Sequence, residues 1–238
     1  MIIHSQVRTV RQGFTLIELL VVVVVIGLLI GLSIPAISQA LMLSKRTACA
    51  SNMRQIGMAM TLYANENEGW LPTSSHTSAS QSWIFQLQDY MGGSFDKARL
   101  CPSDPKREQR KQARGSSYVL NEFTSLDVTD PFGNLIEASH RNLLRMARPS
   151  QTIVLFTVSD RVGVSAVNDH THSRNWSKGW KSVLADIQPD RHRSGGATTD
   201  HTKGSANYLF ADGRVENILA AKLKQQVDSG INPARPPL

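Results

Sequence analysis

The chain has 238 residues, 41 % of them hydrophobic, and a formal net charge of +7. About 170 residues follow the long N-terminal helix read below, enough for one hydrophobic core. The positive surplus could attract nucleic acid or anionic surfaces, but it is spread along the chain apart from KREQRKQAR at 106–114. That run reads as a solvated loop or helix face, which argues against nucleic acid as a partner.

Residues 13–35 read GFTLIELLVVVVVIGLLIGLSIP. From Phe14 to Ile34 the one ionisable side chain is Glu18. A helix over that span is roughly 31 Å long, about the thickness of a bilayer's hydrocarbon core. It is preceded by a short leader with Arg8 and Arg11, no acidic residue, and Gly13 at its end. A carboxylate inside a membrane helix costs roughly 2.5–3.5 kcal/mol on insertion scales, so Glu18 needs a partner and a task. A secretory signal would have a shorter apolar core with a small-residue cleavage site after it; here the small residue comes first. Gly27 and Gly31 form a GxxxG pair, which permits close helix contact.

Pro35 removes a backbone donor and crowds the preceding turn, which predicts a kink. Beyond it Cys49, Met53, Ile56, Met60 and Tyr63 recur at spacings of four, three, four and three, one apolar stripe on a helix. The helix is therefore expected from about Phe14 to about Asn65, before Gly69 and Pro72. WIFQLQDYM at 83–91 reads as a short amphipathic helix. SYVLNEF at 117–123 and TIVLFTV at 152–158 read as strands, being rich in β-branched and aromatic residues. ANYLFADGRVENI at 206–218 reads as a hairpin whose Asp212-Gly213 pair supplies positive φ in its turn. Residues 218–227 read as a last helix. Residues 92–116, 124–142 and 159–204 read as long loops, and 230–238, with three prolines, as a flexible tail. There is no internal repeat.

Gly13 before Phe14, the short basic leader, Glu18, the Val/Leu/Ile run and Pro35 together resemble the type IV prepilin signal, shared by type IV pilins and type II secretion pseudopilins. The resemblance implies that a membrane-embedded prepilin peptidase cuts between Gly13 and Phe14 and N-methylates Phe14. It implies that Glu18 pairs, on assembly, with the terminal ammonium of a neighbouring subunit; each would otherwise be an unpaired charge in an apolar place. It also implies a helix that bends at Pro35 and continues. The remaining partners it implies are other pilin or pseudopilin subunits and an inner-membrane assembly platform. The protein would cross the bacterial inner membrane once, N-terminus cytoplasmic and head periplasmic, with extraction into a pseudopilus or pilus.

Three further pieces resemble a subgroup of prepilin-like proteins from planctomycete-type bacteria: CASNMRQIGMAMTLYANENEGWLP from Cys49, CPSD from Cys101, and NYLFADGRV with a histidine upstream. The subgroup pattern has nine residues between that His and the Asp of Asp-Gly. Here His201 and Asp212 have ten between them, and His192 lies further upstream. Which His corresponds stays open, and no role is assigned to His192, His201, Asp212 or Gly213.

Cys49 and Cys101 are the only cysteines. On the far side of the membrane, where disulfides persist, a bond between them would close a loop of roughly 50 residues and contribute roughly 4 kcal/mol in the chain-entropy model. The alternative is a pair of buried thiols packing as small hydrophobes. Asp169, His170, His172, Asp190, His192, Asp200, His201 and Asp212 crowd one region, so a structural calcium or zinc ion is conceivable. Without HExxH, zinc-finger spacing or a calcium loop, no metal and no cofactor is assigned. Ser, His and Asp are all present without a G-x-S-x-G elbow, so no catalytic residue is assigned and the chain is read as a non-enzyme.

The expected class is α+β: a long N-terminal helix, transmembrane in its first half, packed on a small antiparallel sheet. The expected division is a cleaved leader (1–13), a transmembrane half-helix (14–34), its amphipathic continuation (35–65), a globular head (66–229) and the tail (230–238). The expected function is that of a pseudopilin, a structural subunit of a type II secretion-type pseudopilus. The alternative is a minor type IV pilin in adhesion or DNA uptake.

Overall fold

In the computed structural model, which describes residues 15–74, 81–193 and 195–237, the first element is a helix of 51 residues, α1 (Leu16–Glu66). By internal packing the chain divides into two compact units, one up to Leu41 and one from Met42 onward.

In the first unit every described residue is solvent-exposed. Val21 to Val25 are β-branched and weak helix formers in water. In a bilayer core that ranking yields to a stronger demand, since only a structure that bonds its own backbone survives there. Among the described residues α1 is the one helix long and apolar enough to cross a membrane. Pro35 lies inside it. Near the proline, the Ser33 hydroxyl donates to the Leu29 carbonyl at 2.7 Å.

In the second unit α1 becomes two-faced. Cys49, Asn52, Met53, Ile56, Gly57, Ala59, Met60 and Ala64 are buried, and Tyr63 packs at their edge, so the expected stripe is the buried face. The helix ends at Glu66, one residue past the expected limit. Three short helices follow: α2 (Trp83–Gln86), α3 (Gln88–Met91) and α4 (Phe95–Ala98). The single helix expected over 83–91 is thus two, separated at Leu87. Then come α5 (Arg107–Gln112), β1 (Tyr118–Leu120), β2 (Val128–Thr129), β3 (Leu135–Glu137), β4 (Ile153–Thr157), α6 (Trp180–Asp186), β5 (Ser205–Phe210), β6 (Val215–Leu219) and α7 (Ala220–Asp228).

Strands β1, β4, β5 and β6 form a four-stranded antiparallel sheet in that order, and β2 pairs with β3 separately. Strands β1 and β4 are buried along their whole length, covered on both faces, which is why they read as continuous apolar runs. Tyr118, Leu120, Leu155 and Leu209 join the α1 stripe and Trp83, Ile84 and Leu87 in one core. Val119, Phe156, Tyr208 and Phe210 join Trp176, Val183, Ile187, Leu223 and Val227 in a second. Alternation slips in β4, where Val154 and Leu155 both face the first core; the pairing register with β5 shifts between Ile153 and Leu155, the signature of a bulge. Gly57 lets the helix lie close against the sheet, since a Cβ there would lie 2.9 Å from Leu209 Cδ1.

The hairpin forms at the expected place, with Gly213 at φ 85°. Its amide donates to the Phe210 carbonyl at 3.0 Å, and Asp212 Oδ1 accepts from the Arg214 amide at 3.0 Å. The expected long loops hold α4, α5, the β2–β3 hairpin and α6, pieces too short to show periodicity. The expected loose tail is also corrected: Asn121 Nδ2 donates to the Ala234 carbonyl at 2.6 Å, and Asn232 Nδ2 to the Ser173 carbonyl at 2.8 Å.

The basic run at 106–114 is not wholly a solvated face. Arg110 is buried, with Nε 2.9 Å from Asp104 Oδ2. The same carboxylate oxygen accepts from Ser117 Oγ at 2.6 Å, and Oδ1 from the Lys106 amide at 2.8 Å. Removing one member of such a pair strands a buried charge. Asp104→Ala should therefore destabilise the head by about 3–5 kcal/mol. Glu108→Ala, which breaks the solvent-exposed pair with Arg107, should cost less than about 1 kcal/mol. Urea unfolding of the full chain in detergent, followed by near-UV circular dichroism, measures both.

Candidate functional site

Two places concentrate the residues singled out by the sequence. The first is the start of α1. Gly13 and Phe14 lie outside the described residues. From Thr15 onward the geometry is explicit: Glu18 Oε2 accepts from both the amide and the hydroxyl of Thr15, each at 2.8 Å, and Thr15 Oγ1 accepts from the Glu18 amide at 3.2 Å. This is a capping box, in which an N-cap Thr and the Glu three residues on satisfy donors that the first helical turn leaves orphaned. The T-x-x-E spacing was there to be read in the sequence. Glu18 is conspicuous in the sequence by its charge in an apolar run, and its position three residues after Thr15 is the local signal of the cap.

The second place lies where α1 enters the first core. Cys49, Cys101 and His192 come together from three distant parts of the chain, one ligand-type atom from each lying within 4.8 Å of the other two. Both cysteines are free thiols and fully buried, while His192 is half-buried. Cys49 is presented by the buried face of α1, and Cys101 by the chain just after α4. His192 is fixed by its backbone amide, which donates to the Ser205 carbonyl of β5 at 2.8 Å.

The surroundings are polar and paired. Tyr118 Oη lies 3.3 Å from Cys49 Sγ. His192 Nδ1 is 3.2 Å from Ser103 Oγ, and Nε2 is 3.4 Å from Asn207 Nδ2. Asn207 donates to the Arg46 carbonyl of α1 at 2.9 Å and accepts from Asn217 Nδ2 at 3.0 Å. It is buried and couples β5 to the helix. Burial by itself would raise the Cys49 thiol. Its hydrogen-bonding neighbours Cys101, His192 and Tyr118 outweigh that and hold it well below the ordinary thiol range. Burial and the adjacent Cys49 push Cys101 well above that range. One thiol of the pair ionises readily and the other resists.

The structure separates the remaining histidines and aspartates instead of gathering them. Asp169 and His170 meet at Ser74, whose Oγ lies 2.5 Å from His170 Nδ1 and donates to Asp169 Oδ1. Asp169 Oδ1 is in turn 3.1 Å from the same His170 Nδ1. Hydroxyl and carboxylate thus share one ring nitrogen and touch each other, whereas a nucleophile triad sets the imidazole between them. His172 Nδ1 sits 3.4 Å from Asp186 Oδ1, and Asp186 Oδ2 accepts from Trp176 Nε1 at 2.7 Å. Asp190 is fully buried against Gln188, Arg193 and His201, with His201 Nδ1 at 3.1 Å. Asp200 Oδ1 accepts from the Thr202 hydroxyl at 2.9 Å, and Asp212 stays in the hairpin turn. The two candidate motif histidines are therefore apart: His201 belongs to the Asp190 group, and His192 to the cysteines and Asn207.

Comparison with known proteins bears on the first place. Residues 8–34 match the family model described as Prokaryotic N-terminal methylation motif, a span that includes Gly13, Phe14 and Glu18. No curated protein and no solved structure is significantly similar to the chain. The match supports a prepilin-type N-terminus, processed by a prepilin peptidase and anchored by its apolar helix, on a subunit of the pilin or pseudopilin kind.

The head site carries a stability prediction of its own. Asn207→Leu would leave the Arg46 carbonyl and the Asn217 amide without this partner, at a cost of about 1–3 kcal/mol. The check is the urea midpoint of the full chain in detergent.

Proposed function

We propose that this protein is a structural subunit of a type II secretion-type pseudopilus, a pseudopilin held in the inner membrane with its head on the periplasmic side until it is built into the filament. The observation that carries the reading is the methylation motif at 8–34, which overlaps a helix whose apolar side chains from Leu16 to Leu41 are all exposed. A surface of that kind is stable only in lipid or against other copies of itself. Cleavage after Gly13 frees an ammonium on Phe14, and methylation leaves it charged. Glu18, one turn into α1, is the nearest carboxylate that a neighbour's ammonium would meet in an apolar filament core. The reading extends to an assembly platform and sibling subunits as partners.

The peptidase step is tested at Gly13, where a side chain should block a narrow cleavage site. Gly13→Leu should accumulate as an uncut, membrane-bound precursor, while mass spectrometry of the wild-type mature protein finds N-methylated Phe14 as its first residue. A mature chain beginning anywhere else would falsify the processing assignment.

Glu18 has two candidate tasks, capping and pairing, and they separate by substitution. Glutamine keeps a capping box but not the charge; valine keeps neither. If pairing governs assembly, Glu18→Gln and Glu18→Val are both inserted and cleaved, and both are absent from sheared filaments. Filaments from Glu18→Gln at wild-type yield would leave capping as the role of Glu18. Loss of a secretin-dependent cargo in the deletion strain favours the pseudopilus; loss of DNA uptake or adhesion with secretion intact favours a minor pilin.

A further inference from the structure

We propose that Cys49, Cys101 and His192 bind one zinc ion, which clamps α1 to the segment after α4 and to the approach to β5. Two sulfurs and one imidazole nitrogen form a soft, borderline donor set of the kind zinc takes, and no carboxylate belongs to the group. The spacing fits: donors on a tetrahedral zinc lie about 3.8 Å apart when both are thiolates, given a Zn–S distance of about 2.3 Å. The three donor atoms are already within 4.8 Å of one another, so closing on an ion asks for side-chain shifts of about an ångström, without a backbone rearrangement.

The surroundings point the same way. A histidine that ligates metal ordinarily donates its other ring N–H to a neighbour, which fixes its tautomer. Here Ser103 Oγ, 3.2 Å from Nδ1, takes that proton, and Asn207 Nδ2, 3.4 Å from Nε2, faces the lone pair. Ser103 suits an Nδ1–H donor, and the Nε2 lone pair that faces Asn207 Nδ2 is the one the ion would take in its place. Tyr118 Oη, 3.3 Å from Cys49 Sγ, is placed to donate to a thiolate. Two thiolates balance the charge of Zn²⁺ in a site that is otherwise buried, and His192, the half-exposed member, marks the side from which the ion and a fourth, non-protein ligand enter.

A disulfide would use the same two sulfurs, and it is the histidine that tells the two apart. A Cys49–Cys101 bond has no need of His192, whose ring would keep only its contacts to Ser103 and Asn207, whereas a metal site fails without it. The proposal is independent of which filament the subunit serves.

The test uses the full chain in detergent, purified without chelator. We expect about one zinc per chain by elemental analysis, and thiolate-to-cobalt absorption bands when the apo protein is titrated with cobalt(II) chloride. His192→Ala should weaken cobalt binding by about 100-fold while both thiols remain titratable after denaturation. Ser103→Ala, which keeps every ligand, should weaken it by about 10-fold, in the range measured for partners of metal-bound histidines; it guards against a His192 variant that fails to fold. Zinc should raise the melting temperature of wild type but not of His192→Ala. The proposal is overturned if peptide mapping of the protein isolated from the cell envelope finds Cys49 disulfide-bonded to Cys101. It is equally overturned if the reduced wild type takes up no cobalt, or if the His192 and Ser103 variants bind it as tightly as wild type.

Discussion

The head depends on one buried helix face. From Cys49 to Ala64, α1 presents sulfur, methyl and small side chains to β1, β4 and β5, and the first core is organised on that surface. The same face also carries polar groups, and each has to be matched where no water reaches. Asn52 Nδ2 donates to the Leu100 carbonyl at 3.0 Å and to the Lys97 carbonyl at 3.3 Å. The Arg46 carbonyl is met by Asn207. The Cys49 thiol meets the Tyr118 hydroxyl. These pairings choose a register: a helix rotated by one residue would bury Lys45, Arg54 or Gln55 and leave Asn52 and Asn207 without partners. Apolar burial supplies most of the driving force, and the polar pairs decide which of several greasy arrangements is the native one.

At the start of α1 the same rule operates under a harsher penalty. The first turn of a helix has four amide groups without intrahelical partners, and inside a membrane each costs several kcal/mol if left bare. Thr15 and Glu18 meet part of that demand within the chain itself. Capping also sets the geometry of the carboxylate, drawing it back to the N-terminal end of the helix, next to the place where cleavage would create an ammonium. The capping role and the pairing role therefore do not compete in space; the first positions the group that the second would use.

How much of this was legible in the sequence follows from how each element is stabilised. The apolar stretch, the stripe from Cys49 to Tyr63, the two central strands and the Asp212-Gly213 turn all carry their cause locally, as periodicity, β-branching or a dipeptide with a conformational need. Most of them lie close to their expected limits, although of the run at 117–123 only Tyr118–Leu120 is strand. The short helices α4, α5 and α6 have no period long enough to detect, and tertiary packing alone defines them. Arg110 looked solvated because its neighbours Lys106, Arg107 and Lys111 are cationic; its carboxylate partner stands six residues away, in the CPSD piece. The docked tail depends on Asn121, more than a hundred residues upstream, a relation that no local pattern encodes. The site residues divide in the same way. Glu18 stood out as a charge in an apolar run, and the two cysteines by being the only two, but nothing in the sequence said which histidine they would meet.

That last point bears on the C-terminal histidines. Spacing to Asp212-Gly213 favours His201 by its near match to nine intervening residues, yet His201 is drawn into the buried Asp190 group, at a positive φ of 52°. His192 is further away in sequence but lies alongside β5, its amide bonded to Ser205 and its ring near Asn207, within the strand that leads to the Asp-Gly turn. A spacing rule measured along the chain is a proxy for a position on the sheet, and here sheet and spacing choose different residues. The sheet is the physical constraint, because it sets the distance between the imidazole and the α1 face. By position, His192 is the one of the two that lies beside this helix, sharing its surroundings with Cys49 and Cys101.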